Sequence, residues 1–348
     1  DEKSPAMTTQ SAPPNDRSTI RRHEPPAAVR ATGIVVVLPV AIAIIAIAFA
    51  WPASRSAPRD LPIGVAAPPP VTAQITARLA EQAPDAFDVR AFADDAALRA
   101  AIRDREVYGG LSIGAGPPTL LIATGGSPAV AQLLTQMAGG IAEQSGMPLR
   151  TEDLAAPPPD DPRGVGLAAS ALPITLAGLL PAIALVLALR REVWTRFAAT
   201  VVFAALAAWT IALLLRFVFG SITDNFWGVT AGLTLGILAA GLTVLGLGSV
   251  FGRAGLAIGA LLAILLGNPL SGLNAAPELL PRGWGQLGQL LPQGGNATLL
   301  RSTAYFDGAG ATTAIWVLVC WVLVGTALIA VAALRQRRTA EPHPAEMH

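Results

Sequence analysis

Four residues in or beside the apolar segments of the C-terminal half are the candidates for contact with a substrate. They are Arg216, Asn268, Asn274 and Trp284. An arginine inside an apolar segment extends its guanidinium toward the interface, pairs with an acid such as Asp224, or contacts a polar ligand. Because no row of Asp, Glu and His crosses the apolar segments, a carrier that relays protons is disfavoured.

The sequence lacks the residue sets that catalysis or metal binding would need. Asp94 and Asp95 are better explained as the start of a helix than as an acid–base pair. The glycine pairs lack phosphate-loop spacing, and Cys320 is the only cysteine. A membrane-embedded enzyme would need polar groups converging at one depth, which the sequence does not supply. We therefore predict that the protein is not an enzyme and has no cofactor or metal site. The net charge of +1 also predicts no nucleic-acid partner.

Long apolar segments dominate the chain, which is 53% hydrophobic and 14% charged and has a mean hydropathy of +0.54. A bilayer core of about 30 Å is crossed by roughly 20 apolar residues in a helix. We therefore predict six transmembrane helices, at Gly33–Trp51, Gly166–Leu189, Phe197–Phe219, Phe226–Phe251, Ala254–Gly272 and Thr312–Leu334. The first segment is long for a signal-peptide core and is predicted to be a retained anchor.

The distribution of arginines predicts the orientation of these helices. Basic groups lie before the first segment and after the second, fourth and sixth, whereas the opposite short loop carries only Asp224. Cytoplasmic loops are enriched in Arg and Lys. Both termini are therefore predicted to be cytoplasmic and the long insert extracytoplasmic. Arginine outnumbers lysine 23 to 1, which is typical of a GC-rich bacterial genome and suggests a bacterial plasma membrane.

The insert between the first two segments is predicted to be a small α/β domain. Strands are predicted at Leu61–Val65, Phe87–Phe92, Val107–Ile113 and Thr119–Ala123, and helices at Thr72–Gln82, Asp94–Arg105 and Pro128–Ser145. Alternation of strands and helices is typical of α/β folds. The fold class is thus membrane α-helical, with six transmembrane helices and a small extracytoplasmic α/β domain between helices 1 and 2.

A segment near the C-terminus that mixes polar and apolar residues is predicted to form a re-entrant or interfacial hairpin at the outer face. It spans residues 278–311 and includes a short helix at Ala297–Ser302. The predicted organisation is a disordered cytoplasmic tail (1–32), transmembrane helix 1 (33–51), the extracytoplasmic domain with Pro-rich linkers (52–165), a five-helix membrane domain (166–334) and a cytoplasmic tail (335–348). Glycine pairs at four-residue spacing mark either an oligomer face or packing within the chain.

This layout resembles that of ABC-2 type permeases, in particular the phage-infection-protein-like membrane proteins. Leu61–Val65 is similar to the first strand of their outer domain. Ala96–Ile113, with Tyr108-Gly109-Gly110 before an apolar strand, is similar to their passage of a short helix followed by a strand. Leu290–Phe306 is similar to their outer hairpin before the final span, and the residues that carry this likeness are Leu291-Pro292, Arg301 and Tyr305-Phe306. The resemblance covers most of residues 30–338, and none of its motifs is catalytic.

The resemblance implies an exporter. Such permeases dimerise and move lipids, glycan precursors, drugs or peptides outward, driven by a separate ATPase subunit. On that basis, Arg190, Arg191, Trp194 and Arg196 are the candidates for coupling to an ATPase. The alternative is that these residues anchor the loop at the interface.

A second hypothesis is a membrane scaffold or receptor whose outer domain binds an envelope partner. The chain departs from the family by lacking an amphipathic helix before the first span. The loop Arg190–Arg196 is also very short for a coupling element. The short loop favours the second hypothesis.

Overall fold

The first helix of the protein is longer than the apolar pattern predicts. The structure, a computed structural model, describes residues 27–114, 116–145, 148–189, 192–273 and 275–340. Helix α1 (Ala27–Ser54) begins before the predicted Gly33, because the alanines that precede Gly33 are strong helix formers. The predicted disordered tail otherwise falls on residues 1–26, outside the described residues. Two compact units divide within α1, between Ile45 and Ala46.

A five-stranded sheet forms the centre of the insert. Its order over the described residues is β2-β1-β3-β4-β5, in which β3 and β4 pair antiparallel and the other three pairs are parallel. Among the residues described here the strands are β1 (Leu61–Ala66), β2 (Phe87–Phe92), β3 (Gly109–Ser112), β4 (Thr119–Ile122) and β5 (Arg150–Asp153), and the helices are α2 (Pro69–Gln82), α3 (Asp95–Arg103) and α4 (Pro128–Ser145). The insert thus contains a sheet and helices, and its place outside the membrane stays a prediction.

Local signals explain where two of these helices begin. The Asp94 carboxylate accepts a hydrogen bond from the backbone N–H of Ala97 at 2.8 Å, which is a helix N-cap. The Ser127 hydroxyl accepts from Val130 N–H at 3.4 Å before α4. Buried apolar residues of the sheet and of α3 then form the core, among them Leu61, Leu98, Ile102 and Leu121.

Five helices are long and apolar enough to cross a membrane, which fits a multi-pass membrane protein; this count covers the described residues only. They are α1, α5 with α6 (Val165–Ala169 and Ala171–Ala188), α7 (Val193–Leu213), α8 (Phe226–Leu261) and α11 (Thr312–Ala340). One π-helical turn, Leu214–Val218, extends α7, and another, Leu262–Gly267, extends α8. The fourth of these segments, Phe226–Gly267, is 42 residues long and covers the predicted span Phe226–Phe251 and most of the predicted span Ala254–Gly272.

The long segment reverses its direction at Gly252. This residue has φ +61° and ψ −135°, which is not helical. A β-carbon on Gly259 would lie 3.2 Å from Cγ2 of Val244. In a continuous helix, residues 244 and 259 would be about 22 Å apart. The segment therefore forms two antiparallel limbs joined by a tight turn.

The glycine pairs singled out in the sequence pack within the chain. Gly232 approaches Leu299, Gly236 approaches Asn296, and Gly248 approaches Leu256. The remaining three glycines, Gly252 at the turn, Gly255 and Gly259, shape and pack the two limbs of α8. Close packing of helix backbones accounts for this spacing.

The predicted outer hairpin contains more helix than expected. A 3₁₀ turn at Pro277–Leu279 precedes α9 (Trp284–Gln289) and α10 (Pro292–Tyr305), whereas the sequence predicts helix only at Ala297–Ser302. Proline at the first helical position of α10 starts the helix earlier. Ten of its residues are buried, from Pro292 to Thr303.

Candidate functional site

Arg301 lies at the centre of a junction between α10 and the sheet domain. Its guanidinium donates hydrogen bonds to the backbone carbonyls of Gly126 and Leu273. The residue is 6% exposed, and within the described chain its Nε has no hydrogen-bond partner. Burial lowers the pKa of Arg301 to about 10. The side chain thus joins α10 to the backbone at Gly126 and at Leu273, and its burial costs free energy of desolvation.

Arg105 makes a second connection between the same elements. This residue follows α3 in a left-handed conformation, with φ +62°. Its Nη1 donates to Thr298 O at 3.1 Å and to Ser302 Oγ at 2.5 Å, and its guanidinium lies 5.2 Å from the centre of the Phe306 ring. Phe306 is itself part of the core formed by α3 and β4. The end of α10 therefore belongs to the sheet domain as well as to the helical bundle.

Two further hydrogen bonds lie beside those of Arg301 and Arg105. We call these four sets of contacts together the Arg301 junction. The Tyr108 hydroxyl donates to Glu278 Oε2 at 2.8 Å, and burial raises the pKa of Tyr108. The Tyr305 hydroxyl donates to Ser221 O at 3.2 Å, and burial raises the pKa of Tyr305 to about 12. Both phenols are thus held neutral.

A cavity of about 220 Å³ opens beside the junction. Its lining includes Arg105, Tyr108, Glu106 and Glu278. One arginine and two carboxylates line the cavity, while Arg301 lies just behind Gly126 of its wall. The opposing charges nearly balance, so the cavity is polar without a strong preference for an anion or a cation.

The opposite face of α10 packs inside the helical bundle. Asn296 is 3% exposed and lies against Gly236 of α8, and its Oδ1 has no hydrogen-bond partner among the described residues. Gln293 lies against Gly267, and Leu318 of α11 lies 3.3 Å from where a β-carbon on Gly295 would be. Gly236 is about 15 Å along α8 from its start at Phe226. Polar side chains of α10 therefore reach well into the apolar bundle.

A second cavity, of about 330 Å³, lies at the opposite end of the bundle, where the Gly252 turn is. Its lining residues, which define the Arg196 pocket, are Val186, Leu187, Arg196, Gly248, Ser249, Gly252, Arg253 and Gln336. Arg196 is 3% exposed, and its Nη1 donates to Ser249 Oγ at 3.2 Å. Helices α6, α7, α8 and α11 all contribute to this pocket.

The predicted coupling residues separate in the structure. Arg196 is buried in the pocket, whereas Trp194, two residues earlier in α7, is 52% exposed, and the centre of its ring lies 6.0 Å from that of Phe197. Arg190 and Arg191 lie outside the described residues. The assignment of these residues to an ATPase interface stays a prediction.

The predicted substrate-path residues have neighbours of their own at the opposite end. Arg216 donates to Thr223 O at 2.7 Å, and its guanidinium lies 5.7 Å from the centre of the Phe217 ring. Asn268 follows the π-helical turn at the end of α8, and its carbonyl accepts from Ser271. The Trp284 ring lies 5.4 Å from that of Trp51. Asn274 falls outside the described residues, and the role of all four stays a prediction.

Sequence reasoning missed Arg301, Arg105 and Asn296 as site residues. One signal was available, because Arg301 and Asn296 are polar residues in a passage that is otherwise rich in Leu, Gly and Ala. No such signal marks Arg105, whose contacts lie 193 and 197 residues away in the chain.

No family model, curated protein or solved structure matches this chain.

Proposed function

We propose that the protein is the permease subunit of an ABC-2-like exporter in a bacterial plasma membrane. In this proposal it crosses the membrane six times, with both termini in the cytoplasm and the sheet domain outside. It moves an amphiphilic substrate, such as a lipid, glycan precursor, drug or peptide, while a separate subunit hydrolyses ATP. The functional unit is a homodimer.

The burial of a polar helix within an apolar bundle carries this proposal. Helix α10 holds Gln293, Asn296, Arg301, Ser302 and Thr303, and most of it is enclosed by α8, α11 and the sheet domain. Polar groups inside a membrane protein cost free energy and mark pathways for substrates or ions. A bundle that served only as an anchor would gain stability from an apolar helix here.

The contacts of α10 also suggest how the two halves of such a transporter work together. Its first turns lie between α8 and α11, and its last turn is fixed to the sheet domain through Arg301 and Phe306. A shift of the membrane helices would therefore move the sheet domain with it. Substrate release at the outer face could then be linked to events at the opposite end of the bundle.

A scaffold or receptor is the second candidate function. The loop between α6 and α7 is short, since α6 ends at Ala188 and α7 starts at Val193. The firm attachment of the sheet domain through the Arg301 junction would equally suit a rigid platform for an envelope partner. In this function no ATPase would bind.

Purification of the full chain from native membranes, followed by identification of co-purifying proteins and an ATPase assay, separates the two functions. We expect a stoichiometric ATPase whose binding is lost in Trp194→Ala. Trp227→Ala is the matched control, because Trp227 is also exposed, at 73%, but lies at the other end of the bundle. A chain that purifies without an ATPase, or equal losses in both variants, would contradict the exporter proposal.

A further inference from the structure

The Arg196 pocket is built from groups that donate hydrogen bonds. Arg196 and Arg253 contribute guanidinium groups, Ser249 a hydroxyl and Gln336 an amide. Among the described residues that line the pocket, none is acidic. A guanidinium presents a planar fork of N–H donors that matches the oxygens of a phosphate or carboxylate. The composition of the pocket therefore favours an oxyanion.

Of the two arginines in the Arg196 pocket, Arg196 is buried and Arg253 is exposed, which suits a binding site. Arg196 is almost fully enclosed and is oriented by Ser249 Oγ, so its guanidinium is fixed before a ligand arrives. Arg253 follows the Gly252 turn and is exposed. An ordered inner cation and an accessible outer one form a pre-arranged site with an open entrance.

The position of the pocket indicates where the anion comes from. It lies between the ends of four membrane helices, and Leu187 on its wall is exposed on the apolar surface of the bundle. Basic pockets between transmembrane helices bind the head groups of anionic lipids. The volume of about 330 Å³ falls at the lower end of the range for small-ligand sites, about 300–1,000 Å³.

We propose that the Arg196 pocket binds the phosphate of an anionic phospholipid head group, with Arg196 and Arg253 contacting the phosphate oxygens. The acyl chains lie outside the pocket, along the apolar surface that includes Leu187. This site goes beyond the proposed exporter function, because it requires neither an ATPase nor transport.

Native mass spectrometry of the delipidated full chain tests this site with phosphatidylglycerol and phosphatidylcholine as probes. We expect phosphatidylglycerol to bind more tightly and Arg253→Gln to weaken that binding about tenfold, the loss of one charge-assisted contact. Arg337→Gln is the matched control, since Arg337 is an exposed arginine at the same end and outside the pocket lining. This variant should change the affinity less than twofold.

A second variant guards against a change in folding. Arg196→Lys keeps the buried charge but removes the planar fork, so it should weaken phosphatidylglycerol binding while leaving the far-ultraviolet circular dichroism and elution volume unchanged. Equal weakening by Arg253→Gln and Arg337→Gln would show diffuse electrostatic attraction and overturn the proposal.

Two other sources of the anion are separable, free phosphate in the same experiment and a carboxylate of a protein partner in the co-purification experiment. Inorganic phosphate that competes at micromolar concentration, with no preference between the two lipids, would identify a soluble ligand and overturn the lipid assignment. An ATPase that dissociates in Arg253→Gln while lipid binding persists would show that the pocket accepts a carboxylate of a protein partner, and would also overturn it. Because lipid binding is measured without an ATPase, failure of the exporter proposal leaves this test intact.

Discussion

Replacing Phe306 by alanine should destabilise the sheet domain even though Phe306 lies outside the insert that forms the sheet. The ring is 8% exposed and packs in one core with Leu98, Ile102 and Leu121. A buried Phe→Ala change costs about 3–5 kcal/mol, and loss of the cation–π contact with Arg105 adds about 0.5–1 kcal/mol. We therefore expect a loss of about 3.5–6 kcal/mol in the free energy of unfolding of the sheet domain.

Pulse proteolysis in urea measures this loss, because trypsin cleaves at the arginines of the sheet domain only when that domain is open. With a denaturant slope of about 1.5 kcal/mol per M, the urea midpoint should fall by about 3 M. Phe306→Leu keeps most of the apolar volume and loses the ring, so its midpoint should fall by only about 1 M.

The control for this experiment is Phe251→Ala, since the Phe251 side chain is 57% exposed. Its midpoint should move by less than about 0.3 M, as expected for a substitution outside the core. If Phe306→Ala gave as small a shift as Phe251→Ala, the end of α10 would not belong to the core of the sheet domain. The mechanical link between that domain and the membrane helices would then be refuted.

Three further outcomes are expected. The chain has only two tyrosines, and burial raises the pKa of both. At pH 10.5, absorbance at 295 nm should therefore show little tyrosinate in the folded protein, whereas about three-quarters of the phenols should be ionised after unfolding, because an ordinary tyrosine has a pKa of about 10. The stability that depends on the neutral phenols is present below pH 10 and is lost as the pH rises above that. Gly252→Ala should lower the free energy of unfolding by about 1–3 kcal/mol, as measured by thermal unfolding. The cause is backbone strain alone, because the added carbon would meet nothing within 4 Å. Gly139→Ala is the control, since Gly139 is equally open but lies inside α4, and it should not lower the stability. Arg99 lowers the pKa of Asp95 and of Glu152 from their ordinary values of 3.8 and 4.5. The stability from these ion pairs is present above the ordinary values and is lost as the pH falls through the lowered ones. Arg99→Gln should therefore lower the melting temperature at pH 7, and its difference from the unsubstituted protein should shrink as the pH falls below 3.8. A difference that stays constant into the acid range would contradict the ion-pair explanation.

Most of the sheet domain could be predicted because its elements carry local signals. Alternating apolar residues mark β2, and Asp94 marks the start of α3. Strand β5 was missed because Arg150–Asp153 is entirely polar and pairs along only one edge, with β4. The sequence signal for a strand is a pattern of buried apolar residues, and β5 buries almost none of its side chains.

The Arg301 junction could not be predicted, since its contacts join distant parts of the chain. The Arg301 guanidinium contacts Gly126 across 175 residues, and Tyr108 contacts Glu278 across 170. The extent of α10 was underestimated for a related reason. Gly294 and Gly295 discourage helix in isolation, but in the fold they allow close contact with Gly288 and Leu318.

The place of Phe306 in the core of the sheet domain also sets an order of events during synthesis. The last strand of the sheet ends at Asp153, whereas Phe306 and Arg301 belong to α10. At about 5–20 residues per second, the ribosome needs roughly 8–30 s to add the 150 or so residues between them. Throughout that interval the nascent sheet domain has an incomplete core and no attachment to α10. The domain nearest the N-terminus is therefore among the last parts of the protein to finish folding, and it depends on prior insertion of the helices that follow it.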